Sequence, residues 1–388
     1  MPDLPPGTPR VGIIGGGQLA RMSQQPAIAL GVQLHVLADS EHDSASQVIP
    51  AMSVGTARDA AAIRALADGV DVVTFDHEHV PQEIIKSLEA DGVPVYPGSA
   101  ALEFAQDKAA MRRRLEAAGF PVPRWQVVAA AEDVAAFDCP WPKVLKASKG
   151  GYDGKGVWVV ETLEEAAEVM SHDLGPDAVW LVEEMVGFTQ EVAVQVARSP
   201  HGQAVAYPPV RTVQTDGICV EVVAPCAPDG ATAEEAEALA LGVAKELGVV
   251  GMLAVELFDT PDGLVINELA MRPHNSGHWS IEGAYTSQFE NHLRAVLDLP
   301  LGAPQPRAPW TVMVNILGGA QDAGQLYDGY LHTMAKDPQL KVHLYGKQMR
   351  PGRKVGHVNA YGDDLDDCLE RARHAAAWFA GELGDDSD

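Results

Sequence analysis

Lys149-Gly150-Gly151-Tyr152-Asp153-Gly154-Lys155-Gly156 is the stretch that decides the fold. It holds four glycines and two lysines in eight residues, between two apolar runs that read as strands, Lys143–Lys146 and Val157–Val160. A hairpin of this composition bends freely, and its backbone N–H groups can close over a polyphosphate. Lys146, ending the first strand, reaches an α- or β-phosphate as a point charge. The pattern of a Walker A loop is absent. An ordinary glycine-rich hairpin shares the composition, so the flanking sequence has to decide.

Downstream, Leu163–Met170 reads as a helix, and Val179–Glu183 and Glu191–Ala197 read as strands. Glu183-Glu184-Met185-Val186 closes the first of these strands. Backbone groups at such a point can read an adenine edge, and Glu191 can take ribose hydroxyls; solvated acids at a strand end would look the same. A long amphipathic helix, Glu234–Leu247, precedes strands Met252–Phe258 and Leu264–Leu269, with Thr260-Pro261-Asp262-Gly263 as the turn between them. The midpoint of Glu256 and Glu268 is residue 262, inside that turn. A hairpin therefore sets the two carboxylates face to face, with Cβ atoms about 5 Å apart. Unpaired anions at that separation raise each other's pKa. Mg²⁺ reconciles them, because it takes a few carboxylates plus phosphate oxygens and waters. Glu268, Ala270 and Arg272 alternate onto one face of an extended strand. An arginine there could stabilise charge developing on a transferred phosphoryl or carboxyl group. Two solvated acids on an edge hairpin are the plainer alternative.

Upstream, the strands Val11–Ile14, Leu34–Ala38, Val70–Phe75 and Val93–Tyr96 alternate with helical stretches, which predicts a parallel doubly wound sheet ending near residue 106. Gly15-Gly16-Gly17-Gln18-Leu19-Ala20 fits G-x-G-x-x-A, and Asp39 closes the second strand where a ribose-binding acid belongs. This pair is the case for an NAD-dependent oxidoreductase. A helix over Ala109–Ala118 follows, stopped by Gly119. Beyond the hairpin, His274-Asn275-Ser276-Gly277-His278 offers groups for a small polar substrate. Leu299–Pro309 reads as a linker, and a final segment holds strands Val312–Leu317 and Lys341–Leu344 and a helix Leu365–Ala380. Lys347, Arg350, Arg353 and Lys354 lie within eight residues there, a density that suits a phosphate-monoester clamp.

The composition sets limits on these readings. At 388 residues, two or three domains are expected, and 46% hydrophobic content supports real cores. A net charge of −26 argues against nucleic acid or an anionic membrane as the main partner. The N-terminal stretch has no apolar signal core, no window approaches a membrane span, and the four cysteines are scattered. A cytoplasmic protein with reduced thiols is expected.

The glycine loop, Glu256…Asn267-Glu268 and Arg272, behind a doubly wound N-terminal unit, resemble the ATP-grasp superfamily. Gly15–Met22, Asn267-Glu268-Leu269-Ala270, His274–His278 and Arg350-Pro351-Gly352-Arg353-Lys354-Val355-Gly356-His357 narrow the resemblance to the N5-carboxyaminoimidazole ribonucleotide synthetases, over nearly the whole chain. The resemblance implies an α/β ATP-grasp fold in three parts: a Rossmann-like substrate-binding domain 1–106, an ATP-grasp domain 107–304 with a lid at about 123–187, and a small α/β domain 305–388. It implies carboxylation of 5-aminoimidazole ribonucleotide by ATP and bicarbonate through carboxyphosphate, with Mg²⁺, in a homodimer of purine biosynthesis. Carried over, Lys108, Lys146, Gly151, Tyr152, Asp153, Gly154, Lys155, Gly156, Glu183, Glu184, Val186, Glu191, Gln214, Asn267 and Glu268 would bind ATP, and Glu256 and Glu268 the metal. Asp153 and Arg272 would serve catalysis. Gln18, Leu19, Glu78, Tyr152, His274, Asn275, Ser276, Lys347, Arg353 and Lys354 would hold the substrate. Gln214 stands where the family usually has His, Asp76 where Glu is common, and Lys108 where Arg is usual. A ligase for another phosphorylated amine and a non-catalytic nucleotide-binding module are the other readings.

Overall fold

A computed structural model describes residues 5–151, 155–175, 177–226, 231–319 and 323–383. The N-terminal sheet consists of β1 (Arg10–Ile14), β2 (Gln33–Ala38), β3 (Ala51–Val54) and β4 (Val72–Phe75), all parallel, in the order β3-β2-β1-β4. Its central strands are continuous apolar runs, as a sheet covered on both faces requires. The expected strand at Val93–Tyr96 is reduced to one parallel bridge, Val73↔Val95. Pro94 and Pro97 lack the amides to extend that ladder. The short β3 gave no clear apolar alternation and went unpredicted.

Four antiparallel strands form the lid: β5 (Trp125–Val128), β6 (Lys143–Ala147), β7 (Val157–Val160) and β8 (Trp180–Glu184), in the order β5-β8-β6-β7. Helix Leu163–Met170 matches its expected bounds, and the Thr162 hydroxyl accepts the Glu165 N–H at its N-terminus. Val128, Val134, Leu145, Val160, Ala166 and Val182 make a small separate core. The glycine loop joins β6 to β7. A Cβ on Gly151 would sit 2.5 Å from the Lys155 carbonyl oxygen, so the two arms of the loop approach more closely than any side chain permits. Residues 152–154 lie outside the described residues.

The rest of the chain builds one nine-stranded antiparallel sheet. It contains β9 (Gln190–Arg198), β10 (Ala204–Ala206), β11 (Val210–Thr215), β12 (Ile218–Ala224), β13 (Gly251–Thr260), β14 (Gly263–Ala270), β15 (Trp310–Leu317), β16 (Lys341–Leu344) and β17 (Lys354–Gly362). The order is β14-β13-β9-β11-β12-β15-β17-β16, with β10 beside β9. Helix Ala233–Glu246 packs Ala236, Ala240 and Val243 into a core with Val194, Leu253 and Val255. The C-terminal segment has its own core, in which helix Leu365–Ala380 packs Ala372 and Phe379 with Val312 and Val358. Its strands are not a sheet of their own: β15 pairs with β12 from Glu221↔Val314 to Ala224↔Thr311.

Candidate active site

A cleft of about 1150 Å³ opens where the N-terminal sheet, the lid and the nine-stranded sheet meet. Its floor is the β13–β14 hairpin, in which Glu256 and Glu268 are direct partners. The pairing arises differently from the midpoint argument. The strands run in register from Thr260↔Gly263 to Leu257↔Ile266, and a regular ladder would then bring Asn267 opposite Glu256. A β-bulge inserts Asn267 as an extra residue and delivers Glu268 instead. Burial, then the charges of Glu268 and Glu191, push the Glu256 carboxyl up to about 8. Burial works to raise Glu268 too, but Lys108, with Nζ 2.7 Å from Oε1, leads the cations that hold it below its ordinary value. Two opposed carboxylates, one ionised and one reluctant, suit a hard divalent cation. Among the described residues no three His, Cys, Asp or Glu side chains form a ready metal cage.

Beside the hairpin lies a buried ionic network. Lys146 Nζ is 2.7 Å from Glu183 Oε2 and 3.2 Å from Asn267 Oδ1. Arg112, absent from the sequence-based set, grips Glu183 through Nε at 2.7 Å and Nη2 at 3.2 Å. Burial opposes ionisation of Glu183, but Lys146 and Arg112 prevail and bring it down to about 2. Burial likewise lowers Lys146, against the attraction of Glu183. The Glu183 carboxylate is thus committed to Arg112 and Lys146, which leaves the backbone of the Glu183–Val186 strand end to face the cleft. Glu184 is drawn to Arg124 at 2.8 Å. Met185, Val186 and the stacked Phe188–Phe258 pair, with centroids 4.7 Å apart, give this end an apolar wall suited to a flat base. Glu191 and Gln214 also line the cleft, and burial raises the Glu191 carboxyl.

The opposite end carries the N-terminal residues. Gln18, Leu19 and Glu78 line it. Glu78 accepts from Arg272 Nε at 2.8 Å and from the Met271 N–H at 3.3 Å. Arg272 lies past the end of β14, so it faces the cleft from a bend and not from the strand alternation expected of it. His274 has Nδ1 2.8 Å from Ser276 Oγ and Nε2 3.5 Å from Glu256 Oε1. Burial, helped by Arg272 and Lys354, keeps its imidazole neutral, well below the usual value. Ser276 is buried beneath His274, accepts a hydrogen bond from Gln195 and supports the imidazole. Asn275 lines the cleft and exchanges two hydrogen bonds with Asn315 on β15. Lys354 lines the cleft, and Lys347 Nζ donates to Gln18 Oε1. Arg353 donates to the Gln348 carbonyl, and of the four clustered cations only Lys354 is among the cleft-lining residues. Tyr152, Asp153 and Gly154 fall outside the described residues. Arg58, His77 and His79 line this wall unforeseen, since no motif marked them.

The G-x-G-x-x-A turn does not hold a dinucleotide. The Asp76 carboxylate accepts the Ala20 N–H at 2.7 Å and packs so close to Gly17 that a Cβ would overlap it. A pyrophosphate would need that same helix terminus. Asp39 is exposed and does not line the cleft.

An antiparallel lid over a sheet bearing opposed glutamates, fed by a buried lysine, defines an ATP-grasp enzyme. Comparison with known families agrees: residues 113–289 match the ATP-grasp domain, 9–106 the ribonucleotide synthetase preATP-grasp domain, and 311–371 the phosphoribosylaminoimidazole carboxylase C-terminal domain. The chain is 52% identical to the N5-carboxyaminoimidazole ribonucleotide synthase of Mycobacterium bovis, over 96% of this chain and 88% of that protein. The crystal structure of the synthetase from Thermus thermophilus superposes with a TM-score of 0.83 at 36% identity, covering 96% of this chain and 99% of the other. The Aspergillus clavatus enzyme in complex with ADP and 5-aminoimidazole ribonucleotide gives 0.86 at 29% identity, covering 97% and 99%. The chain belongs to the N5-carboxyaminoimidazole ribonucleotide synthase family.

Proposed function

We propose that this chain carboxylates 5-aminoimidazole ribonucleotide on its exocyclic amine, using ATP and bicarbonate. Bicarbonate oxygen attacks the γ-phosphorus and ADP leaves, giving carboxyphosphate. The amine nitrogen then takes the carboxyl carbon, releasing phosphate and a proton. The observation that carries this reading is one cleft in which the Glu256/Glu268 pair faces Arg272, His274 and Lys354. Lys108 and Lys146 bind the polyphosphate, the Gly151–Gly156 loop closes over it, and Val186 and the Phe188–Phe258 wall hold the base. Mg²⁺ on Glu256 and Glu268 would neutralise charge on the transferring phosphoryl group. Arg272 steadies the carboxyphosphate with Asp153, and neutral His274 offers Nε2 to it or to the amine. Gln18, Leu19, Glu78, Asn275 and Tyr152 orient the ribonucleotide, while Lys347 and Lys354 take its phosphate. We place the functional division at residues 1–106, 107–304 and 305–388, in a cytoplasmic homodimer. No described helix is long and apolar enough to cross a membrane.

ADP release measured with candidate amines tests the substrate. Stimulation is expected with 5-aminoimidazole ribonucleotide plus bicarbonate, and with neither alone. Greater stimulation by another phosphorylated amine, such as glycinamide ribonucleotide, would overturn the assignment.

A further inference from the structure

We infer that Arg112 is a positioning residue that sets the register of the metal-binding hairpin and holds the phosphate-binding lysine in place through Glu183. The inference rests on the reading of Glu256 and Glu268 as metal ligands.

Arg112 is 1% exposed, on helix Lys108–Ala117. Its planar fork presents five N–H donors. Besides the two bonds to Glu183, Nη1 donates to the Ile266 carbonyl at 3.1 Å and Nη2 to the Asn267 carbonyl at 2.8 Å. Those are the carbonyls of the bulge residue and of the residue before it, on the edge strand of the sheet, where no further strand among the described residues takes them. An edge carbonyl buried without a partner is costly, so a donor there decides which backbone path the strand follows. Without the bulge the residue opposite Glu256 is Asn267, and the carboxylate pair is lost. The same guanidinium neutralises Glu183, which anchors Lys146 Nζ. Lys108, one helical turn earlier on the same face, pairs with Glu268 itself. One side of this helix therefore aligns both the metal carboxylates and the phosphate cation. Lysine cannot substitute, because a point charge on a flexible stem reaches a carboxylate or the two carbonyls but not both.

The test is Arg112→Lys and Arg112→Met, with Glu183→Gln as the second probe. Three quantities are read: the Mg²⁺ concentration for half-maximal ADP release, KM for ATP and KM for the ribonucleotide. Mn²⁺ binding by electron paramagnetic resonance, with a non-hydrolysable ATP analogue, supplies a readout independent of turnover. Both Arg112 variants are expected to weaken Mg²⁺ activation, Mn²⁺ binding and ATP affinity by about tenfold or more, leaving the ribonucleotide KM within about twofold. Glu183→Gln, which keeps the bulge carbonyls bonded, is expected to raise KM for ATP while Mg²⁺ activation barely moves. Lower melting temperature with unchanged metal and ATP parameters would overturn the inference, as would equal losses on all three. If neither Arg112 variant folds, the Glu183→Gln split decides alone, and metal and ATP effects of equal size overturn it. Wild-type protein that binds Mn²⁺ and nucleotide but ignores the ribonucleotide would sink the substrate reading and leave this one standing.

Discussion

Glu183 carries the clearest pH signature in the cleft. Its carboxyl sits at about 2 in the folded protein, against 4.5 for an unconstrained glutamate. Between those values the unfolded chain binds more protons than the folded one, so stability rises with pH. The contribution is complete above about 4.5 and lost as pH falls through about 2. Denaturant unfolding at pH 5, 4 and 3 should show wild type losing stability more steeply than Glu183→Gln. Parallel losses would mean that the Arg112 and Lys146 contacts do not hold the charge. The charge on Glu183 was legible as one of several acids at a strand end. Its partners were not, because Arg112 lies 71 residues away in sequence and no local pattern links them.

Short-range geometry decides how the elements meet. The glycine loop was legible as a hairpin between two strands from its composition and its apolar flanks, but the close approach of its arms was not: the Lys155 carbonyl oxygen lies 2.5 Å from where a Gly151 Cβ would sit. Gly151→Ala is expected to force the loop apart and raise KM for ATP severalfold, with the ribonucleotide KM unchanged; steady-state kinetics on both substrates checks it. The hairpin shows a subtler case. Spacing around Thr260–Gly263 correctly put Glu256 opposite Glu268, yet the two-residue loop alone would have missed by one position. The bulge has no residue signature, since Asn267 is set there by a tertiary donor and not by local propensity. The cations near the C-terminus show the reverse: a dense run is visible in sequence, but which of them line the cleft depends on the turn that carries them. β12 and β17 were missed because mixed polar and apolar residues, buried between strands and helices, break the simple alternation.

At the scale of the whole molecule, 28 cations serve a chain with 54 acids, and several of those cations converge on one cleft. The sheet makes the cleft and the C-terminal segment one body. Removing residues 305–388 would strip β15 from β12, leave an unpaired edge, and uncover Val223 and the Met313 side of the core around Val222 and Ala224. Such a truncated chain is expected to elute as soluble aggregates in size-exclusion chromatography; a monodisperse, ATP-binding product would show the segment to be an independent appendage. The same pairing has a consequence during synthesis. About 85 residues separate the end of β12 from the start of β15. At roughly 5–20 residues per second, the nascent chain carries that open edge for several seconds or more before its partner exists. The most exposed moment in this protein's life thus falls on the ribosome, and a chaperone that shields strand edges or slower growth at low temperature should raise its soluble yield.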